Sequence, residues 1–248
     1  MSLLLDCGNT RCKITRVLED GSLAPVLAIA IDADDFLSQL QHRLGSDIGN
    51  KRAYLASVVS EAITSRIESA LQTAGFSVIR VKTQSEALGV RIAYPIPQQL
   101  GVDRFLALLA AHQRHESLLL VSAGSALTVD VLAANGQHHG GMITATETII
   151  NAAMETRFVN FRNLSGQPVG FSSNTGDALA SGARYMVLGI IEKSWREASA
   201  LLNEPDLPIL ITGGDAKALL PHLRDNVSHQ PTLVLEGLAL WADYLESV

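Results

Sequence analysis

Leu3-Leu4-Leu5-Asp6-Cys7-Gly8-Asn9-Thr10, near the start of the chain, is echoed by Leu119-Leu120-Val121-Ser122-Ala123-Gly124-Ser125-Ala126. Each is an apolar run of strand character, then a glycine, then a small polar residue that opens a returning strand. The shift between them is 116 residues (124 minus 8), close to half of the 248-residue chain. Both then reach a turn signal, Asp20-Gly21 in one case and Asn135-Gly136 in the other. A repeat at nearly half the length points to two related halves, 1–115 and 116–248. The competing reading is a pair of unrelated hairpins.

Around these hairpins the pattern alternates strand with helix. After the second strand, 13–18, a helix is expected over 34–44, with Phe36, Leu37, Leu40 and Leu44 on one face and Gly45 as its stop. Strand 53–59 leads to a helix that Ser60 is placed to cap, with Ile63, Ile67, Ala70 and Leu71 in its stripe and Gly75 at its end. Strand 76–81 follows. Two prolines make 94–101 extended, and a helix is expected over 103–115. The second half adds helices 146–160 and 175–202, strand 207–212, a helix from Asp215, and a strand or short turn running into a helix over 232–246. Strands mixed with helices in both halves make the fold α/β.

Composition excludes several classes. Hydrophobic residues are 47% and charged residues 18%, which is core-forming and unlike a disordered chain. Lys and Arg total 19 against 25 Asp and Glu, a net charge of −6 with no basic run, so nucleic acid is not an expected partner. Any bound anion must be gripped by a local site. The first apolar run stops at Asp6, too short for a signal-peptide core. The longest, 118–134, is broken by Ser122, Ser125, Thr128 and Asp130, so no membrane span is expected. Cys7 and Cys12 form neither a disulfide scaffold nor a zinc pattern and read as reduced, partly buried thiols of a cytoplasmic protein.

Familiar catalytic fingerprints are missing: GxxxxGK[ST], GxGxxG, HExxH, GxSxG and CxxC do not occur. What remains is the loop Asp6-Cys7-Gly8-Asn9-Thr10-Arg11-Cys12-Lys13. Gly8 lets backbone amides turn toward a ligand, and Asn9, Thr10 and Lys13 add side-chain donors suited to phosphate oxygens. Asp6, a carboxylate ending an apolar strand, suits a hydrated Mg²⁺. A plain type I′ hairpin is the alternative. Gly124 and Ser125 offer amides and a hydroxyl from the second half, so that two facing hairpins would make a clamp. Gly213-Gly214 either lets a flat ring lie on the backbone or forms a tight turn. The third constellation is Tyr94, Gly101, Val102, Asp103 and Arg104. Asp103 can take a proton from a hydroxyl and Arg104 can fork a carboxylate; otherwise Asp103 caps the helix and Arg104 is solvated.

Together these segments resemble the type III pantothenate kinases, with the related Bvg accessory factor proteins, in the actin-like and hexokinase-like ATPase superfamily. The resemblance spans essentially the whole chain in the right order. It runs from D-x-G-N-T-x-x-K at 6–13, through Tyr94 and Gly101-x-Asp103-Arg104, to G-[TS]-A-x-T-x-D at 124–130 and Gly140-Gly141. It continues with Ser173-Asn174-Thr175, Thr212-Gly213-Gly214 and Leu235-Glu236-Gly237-Leu238. It implies duplicated ribonuclease H-like domains with mixed sheets flanked by helices. The implied activity is ATP-dependent phosphorylation of pantothenate, the first step of coenzyme A synthesis.

By the same resemblance Asp6, Gly8, Asn9, Thr10, Lys13, Gly124 and Ser125 meet ATP, with Asp6 positioning Mg²⁺. Asp103 is the general base, and Tyr94 with Gly101, Val102, Asp103 and Arg104 lines the pantothenate pocket. Thr175 reaches that pocket from the partner subunit of a homodimer. Two departures stand out. The family usually has Asp where this chain has Ser122, and that Asp serves a monovalent cation, K⁺ or NH₄⁺; a hydroxyl is a weaker ligand. The usual Pro-Gly after Gly-Gly-x-Ile is here Ala145-Thr146, where Thr144 or Thr146 can still cap the next helix. A catalytically weak regulatory or binding paralogue of the same fold is the alternative that Ser122 raises. A sugar or acetate kinase is disfavoured by the Gly101–Arg104 element.

Overall fold

The computed structural model describes residues 2–44 and 51–247. Gly45, the expected helix stop, lies outside the described residues. The opening apolar run forms β1 (Leu3–Cys7), buried along its whole length. β2 (Arg11–Arg16) returns antiparallel to it, and β3 (Leu27–Ala30) lies antiparallel along β2. Next come α1 (Phe36–Leu44), β4 (Lys51–Ser57), α2 (Glu61–Thr73) and β5 (Phe76–Arg80). β4 runs parallel to β1 and β5 parallel to β4, giving the sheet order β3-β2-β1-β4-β5. Leu3, Leu5 and Leu55 from the sheet meet Leu40 of α1 and Ile67 and Leu71 of α2 in one core. Ser60 sits at the start of α2 but makes no side-chain cap; its carbonyl accepts from Thr64 instead.

A two-stranded ladder, β6 (Glu86–Ala87) and β7 (Val90–Arg91), then leads to the proline segment and α3 (Val102–His112). The expected extended segment contains one 3₁₀ turn, Pro97–Gln99. Proline is suited to the first position of such a turn, where its missing N–H leaves nothing unpaired.

The second hairpin is β8 (Leu118–Ala123) and β9 (Leu127–Leu132), with β10 (His138–Thr144) beyond. Then follow α4 (Glu147–Arg157), α5 (Thr175–Leu202), β11 (Ile209–Thr212), α6 (Ala216–Leu219) and β12 (Val227–His229). Thr146 caps α4, its hydroxyl accepting the Ile149 N–H. The strand order β10-β9-β8-β11-β12 reproduces the first sheet position for position, including which pairs are parallel. The repeat read in the sequence is thus a repeat of topology, and both halves are mixed sheets flanked by helices.

The last element, α7 (Leu233–Ser247), follows a short turn at 231–232, the second of the two expected openings. The chain divides into two compact units, Glu116–Pro231 and a first unit that joins the stretch up to His115 with the stretch from Thr232 onward. The division therefore differs from halves of 1–115 and 116–248 in the placement of α7. The physical reason is its seat on α3: Phe105 and Trp241 meet edge to face, 5.6 Å between centroids. A Cβ on Gly237 would stand 1.9 Å from the Leu106 carbonyl oxygen, so only glycine permits this approach.

Candidate active site

In the first unit Asp6 lies mid-sheet, directly opposite Lys13 on β2 and Ala56 on β4. Its side chain is 9% exposed. Burial raises its pKa to about 6; Lys13 pulls it down and the charge of Asp103 pushes it up. Asp6 thus feels both Lys13, its neighbour across the hairpin, and Asp103, far along the sequence.

The loop after Asp6 closes with the Gly8 N–H donating to the Arg11 carbonyl at 3.0 Å. Neither Asn9 nor Thr10 has positive φ, so the type I′ turn is not adopted. Gly8 itself has ordinary φ, and an added Cβ would meet Arg11 O at an unstrained 3.6 Å. No internal contact demands glycine there. Asn9 and Thr10 are exposed, leaving the loop open to an outside group. Cys7 and Cys12 face each other across this hairpin, fully buried, with sulfurs 2.6 Å apart and free. The hydrogen bond to Cys12, together with burial, pushes the Cys7 thiol well up. They are more buried than the sequence suggested.

Asp103 sits in the first turn of α3, where the helix dipole favours a negative charge. Its Oδ1 accepts the Arg104 N–H at 2.8 Å. Arg104 is not solvated: it is 5% exposed, and its Nη1 donates to Tyr94 Oη at 3.2 Å. The guanidinium also lies 5.8 Å from the Tyr94 ring centroid. Two residues absent from the sequence reading hold this corner. Thr83 Oγ1 donates to the Leu100 carbonyl at 2.8 Å, and Leu100 is buried. Only their tertiary meeting reveals them.

In the second unit Gly124 repeats the role of Gly8: its N–H donates to the Ala126 carbonyl at 3.1 Å, and an added Cβ would be only 4.0 Å from that oxygen. Ser125 at the tip is exposed. Gly213 serves packing: at φ 101°, its missing Cβ would stand 2.2 Å from the Ala123 carbonyl oxygen. Gly214 has open space and remains available to a ligand. Thr175, the first residue of α5, is exposed; Asn174 caps that helix by accepting the Asp177 N–H at 2.9 Å. The structure therefore gathers Asp6, Lys13 and Asp103, and separately Tyr94 with Arg104, within the first unit. Ser122, Gly124, Ser125 and Thr175 belong to the second unit.

Among the described residues no three His, Cys, Asp or Glu side chains are gathered for a metal. One buried carboxylate with a second in range still fits a Mg²⁺ that draws most of its ligands from phosphate and water.

Twin mixed sheets of one strand order, flanked by helices, define a duplicated, actin-like α/β fold. A solved 2-dehydro-3-deoxygalactonokinase-type protein from Sinorhizobium meliloti shares this fold, with TM-score 0.62 over 100% of both chains at 11% identity. A Baf-family protein from Campylobacter jejuni, described as a putative transcriptional activator, matches with TM-score 0.65 over 99% of this chain and 100% of its own, at 20% identity. The family model for type III pantothenate kinase matches residues 2–197. Relatives named type III pantothenate kinase include one from Stenotrophomonas maltophilia (strain R551-3), 42% identical over 96% of both chains, and one from Xylella fastidiosa (strain 9a5c), 40% identical over 96% of both. The chain belongs to the type III pantothenate kinase family.

Proposed function

We propose that this protein transfers the γ-phosphoryl group of ATP to the terminal hydroxyl of pantothenate, giving 4′-phosphopantothenate and ADP. The observation that carries the reading is Asp103: a carboxylate at a helix start, held by the Arg104 amide and within electrostatic reach of Asp6 beside the open 8–11 loop. Phosphoryl transfer needs an in-line hydroxyl, neutralised phosphate oxygens and little covalent work by the protein. Asp103 accepts the hydroxyl proton as the oxygen bonds to phosphorus and the bond to the bridging oxygen of ADP breaks. Gly8, Asn9, Thr10 and Lys13 supply donors to the phosphates. Asp6 would hold Mg²⁺, which when bound offsets phosphate charge. Arg104, buried and braced by Tyr94, is suited to the pantothenate carboxylate.

The active form is a cytoplasmic homodimer in which Thr175 completes the partner's pantothenate pocket. An apolar surface on the second unit supports self-association: Phe158, Val159, Val169, Phe171, Tyr185 and Met186 are all exposed, Phe171 completely. No helix among the described residues is long and apolar enough to cross a membrane. The test is ADP release from Mg²⁺-ATP with and without pantothenate. Turnover is expected only with pantothenate and is expected to vanish in Asp103→Asn. Wild-type turnover by that variant would refute the assignment of the base.

A further inference from the structure

Because the two sheets share one strand order, equivalent positions can be compared directly. Where the first sheet sets Asp6 opposite Lys13 and Ala56, the second sets Ser122 opposite Thr128 on β9 and Thr212 on β11. Directly opposed residues on adjacent strands share a sheet face, with Cβ atoms about 5 Å apart. Three hydroxyls therefore stand in a row beside the Gly124-Ser125 tip. Ser122 and Thr128 are half-buried and Thr212 is buried. The opposite face, Val121, Ala123, Val129, Ile209 and Ile211, packs into the core with α5. One carboxylate does share the hydroxyl face, Asp130, two residues along β9 from Thr128. It is 1% exposed and its Oδ1 is bonded to Nε2 of the equally buried His138 at 2.9 Å.

The family resemblance implies a monovalent cation served by a carboxylate at position 122, and the donors present do not fit one. A carboxylate holds such a cation by its charge as well as its oxygens, and this row, with Asp130 taken up by His138, offers hydroxyl oxygens alone, a weaker set. Its electrostatics nonetheless match: a carboxylate with its cation sums to zero charge, as do three hydroxyls. Hydroxyls add what a carboxylate lacks, O–H donors for anionic oxygen.

We propose that this chain dispenses with the monovalent cation, and that Ser122 and Thr128, with Thr212 beside them, donate directly to anionic oxygens of the nucleotide. The inference rests on the kinase reading, so binding is measured apart from turnover. Mg²⁺-ATP affinity by calorimetry and pantothenate-dependent ADP release are compared in KCl, NH₄Cl and tetramethylammonium chloride at equal ionic strength. Both are expected to agree within about twofold across the salts, and a gain of about tenfold or more in K⁺ or NH₄⁺ would overturn the proposal. In Ser122→Asp, ATP affinity is expected to fall about tenfold or more in tetramethylammonium and to recover in K⁺. Equal affinity of that variant for ATP in every salt, with wild-type strength, would also overturn it. If the variant fails to fold, the wild-type comparison decides alone. Cation-independent ATP binding without turnover in any salt would remove the kinase reading and leave this one standing.

Discussion

At the scale of the residue, Gly101 sets the position of Asp103. A Cβ there would stand 2.5 Å from Asp103 Oδ1, and the group that must yield is the end of a side chain, not backbone. Gly101→Ala is therefore expected to keep Tm within about 2 °C of wild type. Its kcat is expected to fall about 10- to 100-fold because Asp103, the proposed base, is displaced. A variant with unchanged kcat would break the link between Gly101 and the base. Asp6 gives the converse case, a residue kept at the expense of stability. Its pKa rises from 3.8 unfolded to about 6 folded, mainly through burial. The folded state holds the proton more tightly, so this stability is fully present below pH 3.8 and is lost as pH rises through about 6. Asp6→Asn removes the buried charge and is expected to unfold at higher urea at pH 7, by about 1–3 kcal/mol, with the gap closing toward pH 4. The same variant is expected to lose most turnover. Asp6 and Asp103 were legible in the sequence because one lies near the end of an apolar strand and the other at a helix start, where punctuation is local; Lys13, inside β2, stood out through the loop motif it completes. The burial of Arg104 was not, since it depends on Tyr94 folding back over it from ten residues upstream.

At the scale of the element, legibility follows the strength of the local pattern. α5 was read over its full length because Asn174 caps one end and Asn203, at φ 55°, stops the other, around a long apolar periodicity. β3 and β12 went unread: β3 buries only Ile29, and β12 is three half-buried residues. Edge strands of this kind owe their form to the neighbour they pair with, which no local periodicity records. The β6–β7 turn hides for another reason, since Leu88 takes φ 50° where a turn residue would be expected to be Asn or Gly. The segment around Gly237 was visible as a motif, but its purpose appears only in the packing of α7 on α3. Gly237→Ala forces these helices apart at backbone, where no side chain can relax. The expected loss is about 3 kcal/mol or more in urea unfolding, above the usual range for overpacking because the clash is with a carbonyl. α3 carries Asp103 and Arg104, so kcat is expected to fall in the protein that remains folded. A Gly237→Ala protein as stable as wild type would mean that α7 does not pack on α3 this closely in solution.

At the scale of the whole molecule, duplication explains how an acidic chain of net charge −6 can serve a polyanionic substrate. Each sheet carries in its first hairpin a glycine that no internal contact requires, so backbone donors stay open at a local loop and no basic surface is needed to hold an anion. The repeat then diverged: Asp6 and Lys13 put charge into one copy, and Ser122 with Thr128 put hydroxyls into the other. The second unit also carries several exposed apolar side chains, among them Phe158, Val159, Val169, Phe171, Tyr185 and Met186. Val169 donates its N–H to Ser181 Oγ at 3.1 Å, which ties the exposed loop that carries Phe171 to the α5 helix that carries Tyr185 and Met186. The proposed self-association would cover these side chains and would bring Thr175 of one subunit to the other's substrate. Met186→Asp, on the exposed side of α5, places a charge in that surface without touching the fold. Light scattering is expected to show a dimer for the wild type and a monomer for the variant, with pantothenate KM raised about tenfold or more and ATP affinity unchanged. A variant that stays dimeric, or a monomer with unaltered KM, would detach this surface from the substrate pocket.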